Sequence, residues 1–272
     1  MSSPDPRTRR GLVELLARHG ISPRKPLGQH FLVDRNLHEF IVRAAGVRPG
    51  ERVYEVGPGP GGLSLALVEA GADLVAVERD RSLRPVLEEV LGGRAEVVFA
   101  DALAYPWEEV PEGSLFVANL PYNIGTRLVL DLLGSGRFRD LVVMLQREVA
   151  DRFAARPGSR EYGPVALKVR ELARVERLRE VPPSVFYPPP EVTSAIVRLT
   201  PKGAPPDPGY FRFLDAAFRA RRKTLRKNLE AAGHDRRRVE AALSDLGLDP
   251  KTRAEALSPE ELKALYARLG ER

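Results

Sequence analysis

The hydrophobic pattern of this chain has two halves with different rhythms. From residue 51, short and nearly continuous apolar runs alternate with stretches of helical spacing: ERVYEVG (51–57), DLVAVER (73–79), AEVVFAD (95–101), SLFVANL (114–120) and LVVMLQ (141–146). Runs this short that lose their polar alternation predict strands buried on both faces, as in a parallel sheet. Residues 61–70, 82–91 and 126–133 lie between the runs and read as helices. The resulting βαβα order predicts a doubly wound α/β sheet with right-handed crossovers. Residues 165–181 and 194–200 are expected to be strands that complete it, with the Pro-rich VPPSVFYPPPEV (181–192) as an irregular loop between them. The helical pattern before residue 46 reads as a covering segment.

The stretch PKGAPPDPG (201–209) has the Pro and Gly content of a linker. Beyond it, Phe211, Leu214, Phe218, Leu225 and Leu229 recur at helical spacings, which predicts a small all-helical domain. The expected division is therefore 1–204, with 1–46 as its cover, and 205–272.

Composition narrows the chemistry. The 272 residues include no Cys, which excludes disulfides and thiolate metal sites, and His19, His30, His38 and His234 have no metal-ligand spacing; no metal is expected. No run approaches the roughly 20 apolar residues of a membrane span, and MSSPDPRTRR lacks the apolar centre of a signal peptide. A soluble, cytoplasmic protein without a membrane partner is expected. The net charge is +6 and the pI about 9.7, and the 43 basic residues are 36 Arg and seven Lys. Arg suits phosphate forks and base stacking; an Arg-rich, Pro-rich, Cys-free chain equally fits heat adaptation, and composition does not separate the two.

The first motif follows the first strand. YEVGPGPGG (54–62) contains Gly57-x-Gly59-x-x-Gly62, the spacing of a dinucleotide loop. Pro58 and Pro60, however, remove two backbone N–H groups from a loop that in dinucleotide folds donates to pyrophosphate. Acidic residues recur at the strand ends, Glu55, Glu78 and Asp101, where open α/β sheets bind ligands. Glu78 can accept ribose hydroxyls and Asp101 an adenine amino proton. A nucleoside without phosphate, carrying positive charge among carboxylates, describes S-adenosylmethionine.

The second motif ends the fourth strand: Asn119-Leu120-Pro121-Tyr122. An adenine amine is a poor nucleophile because its lone pair is delocalised into the ring. Accepting both of its N–H protons drives the nitrogen toward sp³ and aims the lone pair at a methyl donor. The Asn119 side-chain oxygen is one acceptor, and the Leu120 carbonyl is the other, held at a fixed angle because Pro121 locks the following φ. Tyr122 offers a flat surface for an extruded base. Positioning and electrostatics then carry the rate, with no metal required.

These motifs, together with PLGQHFLVD (26–34), VERD (77–80), DAL (101–103), QREVADR (146–152), REYG (160–163), VPPSVFYPPPEV and AFRARRKTLRKNL (217–229), resemble the adenine-N6 dimethyltransferases of ribosomal RNA, in their bacterial small-subunit branch. The resemblance implies a Rossmann-like class I methyltransferase sheet with a small C-terminal all-helical domain that binds RNA. It implies that Gln29, His30 and Leu32 lie over S-adenosylmethionine, with His30 standing where many relatives have Asn. It further implies that Gly57 and Gly59 face the methionine part, Glu78 the ribose, Asp101 and Ala102 the adenine, and Asn119 both the cofactor and the target amine. Phe186 is implied to stack opposite Tyr122 and sandwich the base. The implied reaction places two methyls on each of two adjacent adenosines near the 3′ end of the 16S rRNA, with the small ribosomal subunit as partner and the enzyme a monomer. Rival readings are a large-subunit rRNA methylase, a protein-glutamine methyltransferase and a non-catalytic assembly factor.

The run RARRKTLRK (219–227) holds six positive charges and no acid. At helical spacing, Arg219, Arg222, Lys223, Arg226 and Lys227 share a face opposite Phe218, Leu225 and Leu229, and the run lacks the i,i+4 acids of a merely solvated helix. This predicts contact with RNA phosphates.

Overall fold

The computed structural model describes residues 3–24, 28–203 and 205–270. Pro26 and Leu27 of the PLGQHFLVD motif and Ala204 of the expected linker lie outside them. The chain divides into two compact units, Met1–Ala150 with Ala173–Pro201 and Asp151–Leu172 with Lys202–Arg272.

In the first unit, helix α1 (Arg9–Arg18), the two-residue strand β1 (Phe31–Leu32) and α2 (Arg35–Ala45) precede the sheet. The alternation then follows the sequence pattern: β2 (Arg52–Val56), α3 (Gly62–Glu69), β3 (Asp73–Glu78), α4 (Arg84–Leu91), β4 (Glu96–Phe99), β5 (Ser114–Asn119), α5 (Gly125–Ser135) and β6 (Phe138–Gln146). Beyond α6 (Arg147–Phe153) and α7 (Pro164–Leu172) come β7 (Ala173–Val181), β8 (Phe186–Tyr187) and β9 (Ser194–Pro201). The seven-stranded sheet has the order β4-β3-β2-β5-β6-β9-β7, and β8 pairs with β1 outside it. In the middle of the sheet, Leu115, Phe116, Val117 and Ala118 of β5 are at most 1% exposed, which explains their lack of alternation. The strand order reverses between β2 and β5, and a doubly wound sheet opens its ligand crevice at such a point.

Three expectations about these elements need correction. The sheet is mixed: β2 to β6 run parallel, but β9 is antiparallel to both β6 and β7. The connection from β7 to β9 carries no crossover helix, and strands joined in that way pair antiparallel. Residues 165–181 are not all strand. Their first half is α7, whose buried Ala166, Leu167, Val169 and Leu172 fit a helical face; only the second half is β7. The loop at 181–192 is likewise not wholly irregular, because Phe186 and Tyr187 pair with Leu32 and Phe31.

The second unit is discontinuous in sequence, unlike the single cut at 204/205 that the linker predicts. Tyr162, Ala166 and Leu167 bury themselves in one core with Tyr210, Leu214, Leu225, Leu243 and Leu265, and the Tyr162 hydroxyl donates to the Leu257 carbonyl at 3.0 Å. The remaining helices of this unit are α8 (Pro208–Ala217), α9 (Leu225–Ala231), α10 (Arg236–Asp245) and α11 (Pro259–Leu269). The helix expected across 217–229 is broken. Helix α8 ends at Ala217, and α9 starts afresh after Thr224, whose hydroxyl caps the Lys227 amide. The buried Asn228 amide holds the intervening turn by donating to the carbonyls of Ala217 and Ala220.

No described helix is long and apolar enough to cross a membrane.

Candidate active site

The site grows out of the end of β2. The chain there turns through Gly57, Gly59 and Gly61, with φ of 69°, 55° and 85°, a region that L side chains enter only at a cost. Every amide of the turn is accounted for. Gly57 donates to the Val77 carbonyl, Gly59 to the Glu78 carboxylate and Gly61 to the Pro58 carbonyl, while Pro58 and Pro60 have no N–H to give. The loop's own amides are thus not free to cradle a phosphate. Space is also tight: a Cβ at Gly59 would lie 2.9 Å from the Phe31 ring, and one at Gly57 would lie 3.4 Å from the Pro121 ring.

The carboxylates occupy distinct environments. Glu78 is buried and accepts from the Gly59 amide at 3.1 Å and the Asp80 amide at 2.7 Å. A carboxylate has about four lone-pair positions, so acceptor capacity remains on this cavity-lining group. Burial raises the Glu78 pKa, and the backbone hydrogen bonds oppose that rise. Glu55 is wholly buried and accepts from the Ser64 hydroxyl at 2.5 Å. Burial pushes its pKa up to about 8, more than the Ser64 bond brings it down, and the charge of Glu78 adds to the rise. Asp101 is exposed and caps the Leu103 amide at 3.0 Å; Ala102 is buried, its carbonyl bonded by the Trp107 indole at 2.8 Å.

At the end of β5 the Asn119 amide nitrogen donates to the His30 carbonyl at 3.4 Å. That leaves the side-chain oxygen as the acceptor end. The Leu120 amide is tied to the Met144 carbonyl at 3.1 Å, which fixes the Asn119–Leu120 peptide next to the one that carries the Leu120 carbonyl. The Tyr122 hydroxyl pairs with the Ser194 hydroxyl at 2.9 Å, and burial raises its pKa. Above these residues runs a strap from Gly28 to Leu32. Gln29 is clamped at both ends of its amide: its oxygen accepts from the Arg24 amide at 2.7 Å and its nitrogen donates to Asp80 at 2.8 Å. Burial would raise the Asp80 pKa, but bonds from Ser82 and Gln29 and the charge of Arg24 outweigh it and hold Asp80 below its ordinary value.

Gln29, His30, Leu32, Gly57, Gly59, Glu78, Asp101, Ala102, Asn119, Leu120, Pro121 and Tyr122 line a single cavity. Phe186 is not among its lining residues. Its ring is 1% exposed and packs in the core with Leu32, Val181 and Ile196, because the pairing of β8 with β1 sets it opposite Leu32. In this structure Phe186 packs as a core aromatic and makes no ring contact with Tyr122, unlike the sandwich that the resemblance implies. The ring that stacks on Tyr122 is His30, at 5.7 Å between centroids and 25° between planes, with Nδ1 placed 2.9 Å from the Pro188 carbonyl.

The basic run also needs revision. Arg219, Arg221, Arg222, Lys223 and Lys227 are exposed, but Arg219, Arg222 and Lys223 lie in the turn between α8 and α9 and share no helical face with Arg226 and Lys227. Arg226 is partly buried and pairs with Glu230, its i,i+4 neighbour, and with Glu240 at 3.6 Å, so it does carry compensating acids. Counting charges only within 219–227 hides both partners.

The sequence reading misses two residues of the site. Phe31 presses on the glycine loop, and Asp80 latches the strap. The position of Asp80, two residues beyond Glu78, is a usable signal; the role of Phe31 depends on a contact between distant segments and leaves none.

Comparison with known proteins identifies the family. The family model described as ribosomal RNA adenine dimethylase matches residues 20–270. The ribosomal RNA small subunit methyltransferase A of Deinococcus radiodurans is 43% identical over 259 residues, covering 94% of this chain and 89% of that protein. Its counterpart in Moorella thermoacetica is 40% identical, covering 93% and 94%. Among solved structures, a dimethyladenosine transferase from Plasmodium falciparum shares the fold with a TM-score of 0.75 at 24% identity, covering 86% of this chain and 95% of that one. The 23S rRNA methyltransferase ErmE has a TM-score of 0.64 at 30% identity, covering 88% and 98%. The chain belongs to the ribosomal RNA adenine dimethylase family.

Proposed function

We propose that this enzyme transfers methyl groups from S-adenosylmethionine to the N6 amines of two adjacent adenosines near the 3′ end of 16S rRNA, leaving N6,N6-dimethyladenosine on the small subunit. The observation that carries the reading is the meeting, in one cavity, of the donor-poor glycine loop with Glu78, Asp101 and the Asn119–Tyr122 segment.

When bound, the cofactor supplies an electrophilic methyl on a sulfonium. The chain supplies position. Gly57 and Gly59 admit the methionine part where a side chain would clash, Glu78 accepts from the ribose, and Asp101 accepts from the adenine amine beside Ala102. Asn119 Oδ1 and the Leu120 carbonyl accept the two N–H protons of the target amine, which frees its lone pair along the line to the methyl. After one transfer a single N–H remains, so one acceptor loses its partner and the second transfer relies on the other. Tyr122 stacks on the extruded base, whose unstacking costs a few kcal/mol. Removal of water from this partly buried cleft strengthens each of these polar contacts.

The exposed cations at 219–223 and Lys227 suit contact with RNA phosphates. Names of relatives favour the small subunit, and the likeness to ErmE keeps the large subunit in view as an outcome of the test.

That test is transfer of labelled methyl onto unmethylated small subunits, followed by mass spectrometry of both rRNAs. Dimethyladenosine is expected in 16S rRNA, and Asn119→Ala is expected to abolish transfer while subunit binding persists. Label on large-subunit RNA alone would replace the substrate, and full activity of Asn119→Ala would remove the acceptor assignment.

A further inference from the structure

We propose that α1 is a positioning element of the methyl-donor site, holding Phe31 down on the glycine loop and thereby setting the affinity for the cofactor. The inference rests on the reading above that this cavity takes S-adenosylmethionine. It concerns a part of the chain, Arg9–Arg18 and the turn before it, that precedes the match to the family model, which begins at residue 20.

The contacts run without a break from α1 to the ligand cavity. Leu12 and Leu16 of α1, 0% and 3% exposed, form one apolar cluster with Phe31. The Phe31 ring also meets Gly59 so closely that a Cβ there would be 2.9 Å away. The Gly59 amide is the donor that holds Glu78. Pro6 and Leu12 themselves line the cavity, so this N-terminal segment is both a wall of the site and the support behind another wall.

The helix is also fastened firmly enough to transmit its position. Leu15 packs with Leu83, Val86, Leu87, Val90 and Leu91 on and beside α4. Arg18 and His19 both reach Glu89 of α4 at 2.6 Å. Arg7, only 7% exposed, pairs with Asp5 and with Glu69 at the end of α3. Gly11 lets the preceding turn close on the helix, since a Cβ there would lie 2.2 Å from the Asp5 carbonyl. The two helices that grip α1 are those following β2 and β3, the strands whose ends carry Gly57 and Glu78. A packed side-chain path of this kind transmits position only if its members shift together, and a double-mutant cycle tests that directly.

The experiment uses full-length enzyme with Leu16→Ala and Leu16→Val, and Leu16→Met as the conservative variant, each also in a Phe31→Leu background. Leu16 shares the buried cluster of Phe31 and does not line the cavity. The readouts are KM for S-adenosylmethionine, kcat on small subunits and the Kd of S-adenosylhomocysteine by calorimetry, with thermal unfolding run alongside. Leu16→Ala is expected to raise cofactor KM and Kd about tenfold with kcat within about twofold. Leu16→Val, which keeps the fold by removing one methylene, is expected to raise them roughly two- to threefold. Leu16→Met is expected to restore wild-type affinity, and with Phe31→Leu already present Leu16→Ala is expected to add little. Unchanged Kd in the folded Val variant, or a full additional loss in the Phe31→Leu background, would overturn the proposal. Failure of the wild-type enzyme to bind S-adenosylhomocysteine would instead strike at the proposed function.

Discussion

Gly59 and Gly92 form a natural control pair for the glycine loop. Both have φ of 55°, yet a Cβ at Gly92 meets nothing within 4 Å, whereas one at Gly59 meets the Phe31 ring at 2.9 Å. Alanine at either position must enter the left-handed region, at about 1–2 kcal/mol, offset by about 0.4–1 kcal/mol because the unfolded chain also loses freedom. Gly92→Ala should therefore cost about 1 kcal/mol in net stability. Gly59→Ala adds overpacking against a ring backed by Leu12 and Leu16, typically about 1–3 kcal/mol more. For a unit of this size, about 2–4 °C of Tm follows each kcal/mol, so Gly92→Ala should melt roughly 2–4 °C low and Gly59→Ala roughly 4–16 °C low. Only Gly59→Ala should also weaken S-adenosylhomocysteine, because the ring it displaces is cavity wall and the amide it moves holds Glu78. Calorimetric Tm and ligand titration on the two variants give the answer together. Equal melting losses, or an unaltered Kd in Gly59→Ala, would refute the close approach of Phe31 and the reasoning built on it.

Glu55 should give the unit a pH dependence of definite sign. Its folded pKa of about 8 lies above the ordinary 4.5, so the folded state holds a proton that the unfolded state has released, and stability should fall as pH rises from 4.5 to 8. Glu55→Gln should therefore gain Tm over wild type at pH 8 and lose that advantage near pH 4, as read by melting in matched buffers; a gain that grows toward acid would contradict the buried neutral carboxyl. Phe186 and Tyr122 should separate by readout. Phe186→Leu should lower Tm, at a cost of about 1 kcal/mol, with methyl transfer close to wild type, while Tyr122→Leu should slow transfer severely with a small change in Tm. The cations of the second unit should divide in the same way. Arg222→Ala with Lys223→Ala should flatten the salt dependence of small-subunit binding by about two in log–log slope. Arg226→Ala should chiefly lower Tm by leaving Glu230 and Glu240 with Arg236 alone, and a salt slope reduced as much as in the double variant would restore Arg226 to the RNA surface.

What could be read from the sequence follows from how far each physical cause reaches along the chain. Buried parallel strands and the missing amides at Pro58 and Pro60 are properties of a few consecutive residues, so the succession of strands from β2 to β6 and the lack of amide donors in the loop were both readable. The half-helix, half-strand nature of 164–181 was not. Val165, Ala166, Val169 and Val175 suit either state over so short a stretch, and the decision came from the second unit, whose core takes Ala166 and Leu167. Arg226 shows the same limit from another side. Its partners Glu230 and Glu240 lie past the end of the charged run, and a helix start at Thr224 put Glu230 within one turn of it.

Phe186 and His30 show why motif membership does not settle a side chain's duty. Both belong to segments that the family resemblance marks, and both were expected beside the ligand. The register of β1 with β8 decides between them: Leu32 opposite Phe186 and Phe31 opposite Tyr187 turn Phe186 into the core, where it is 1% exposed. The same pairing carries Pro188 to within 2.9 Å of His30 Nδ1 and so leaves the imidazole lying on Tyr122. His30 therefore occupies one face of Tyr122 at 5.7 Å, too close for a base to enter between the rings, and an adenine must approach the opposite face. The segment that carries His30 is tied at one end by the Gln29–Asp80 hydrogen bond and at the other by Phe31 in its cluster with Leu12 and Leu16 of α1, so the ring covering Tyr122 and the ring pressed on the glycine loop are held by the same short stretch of chain.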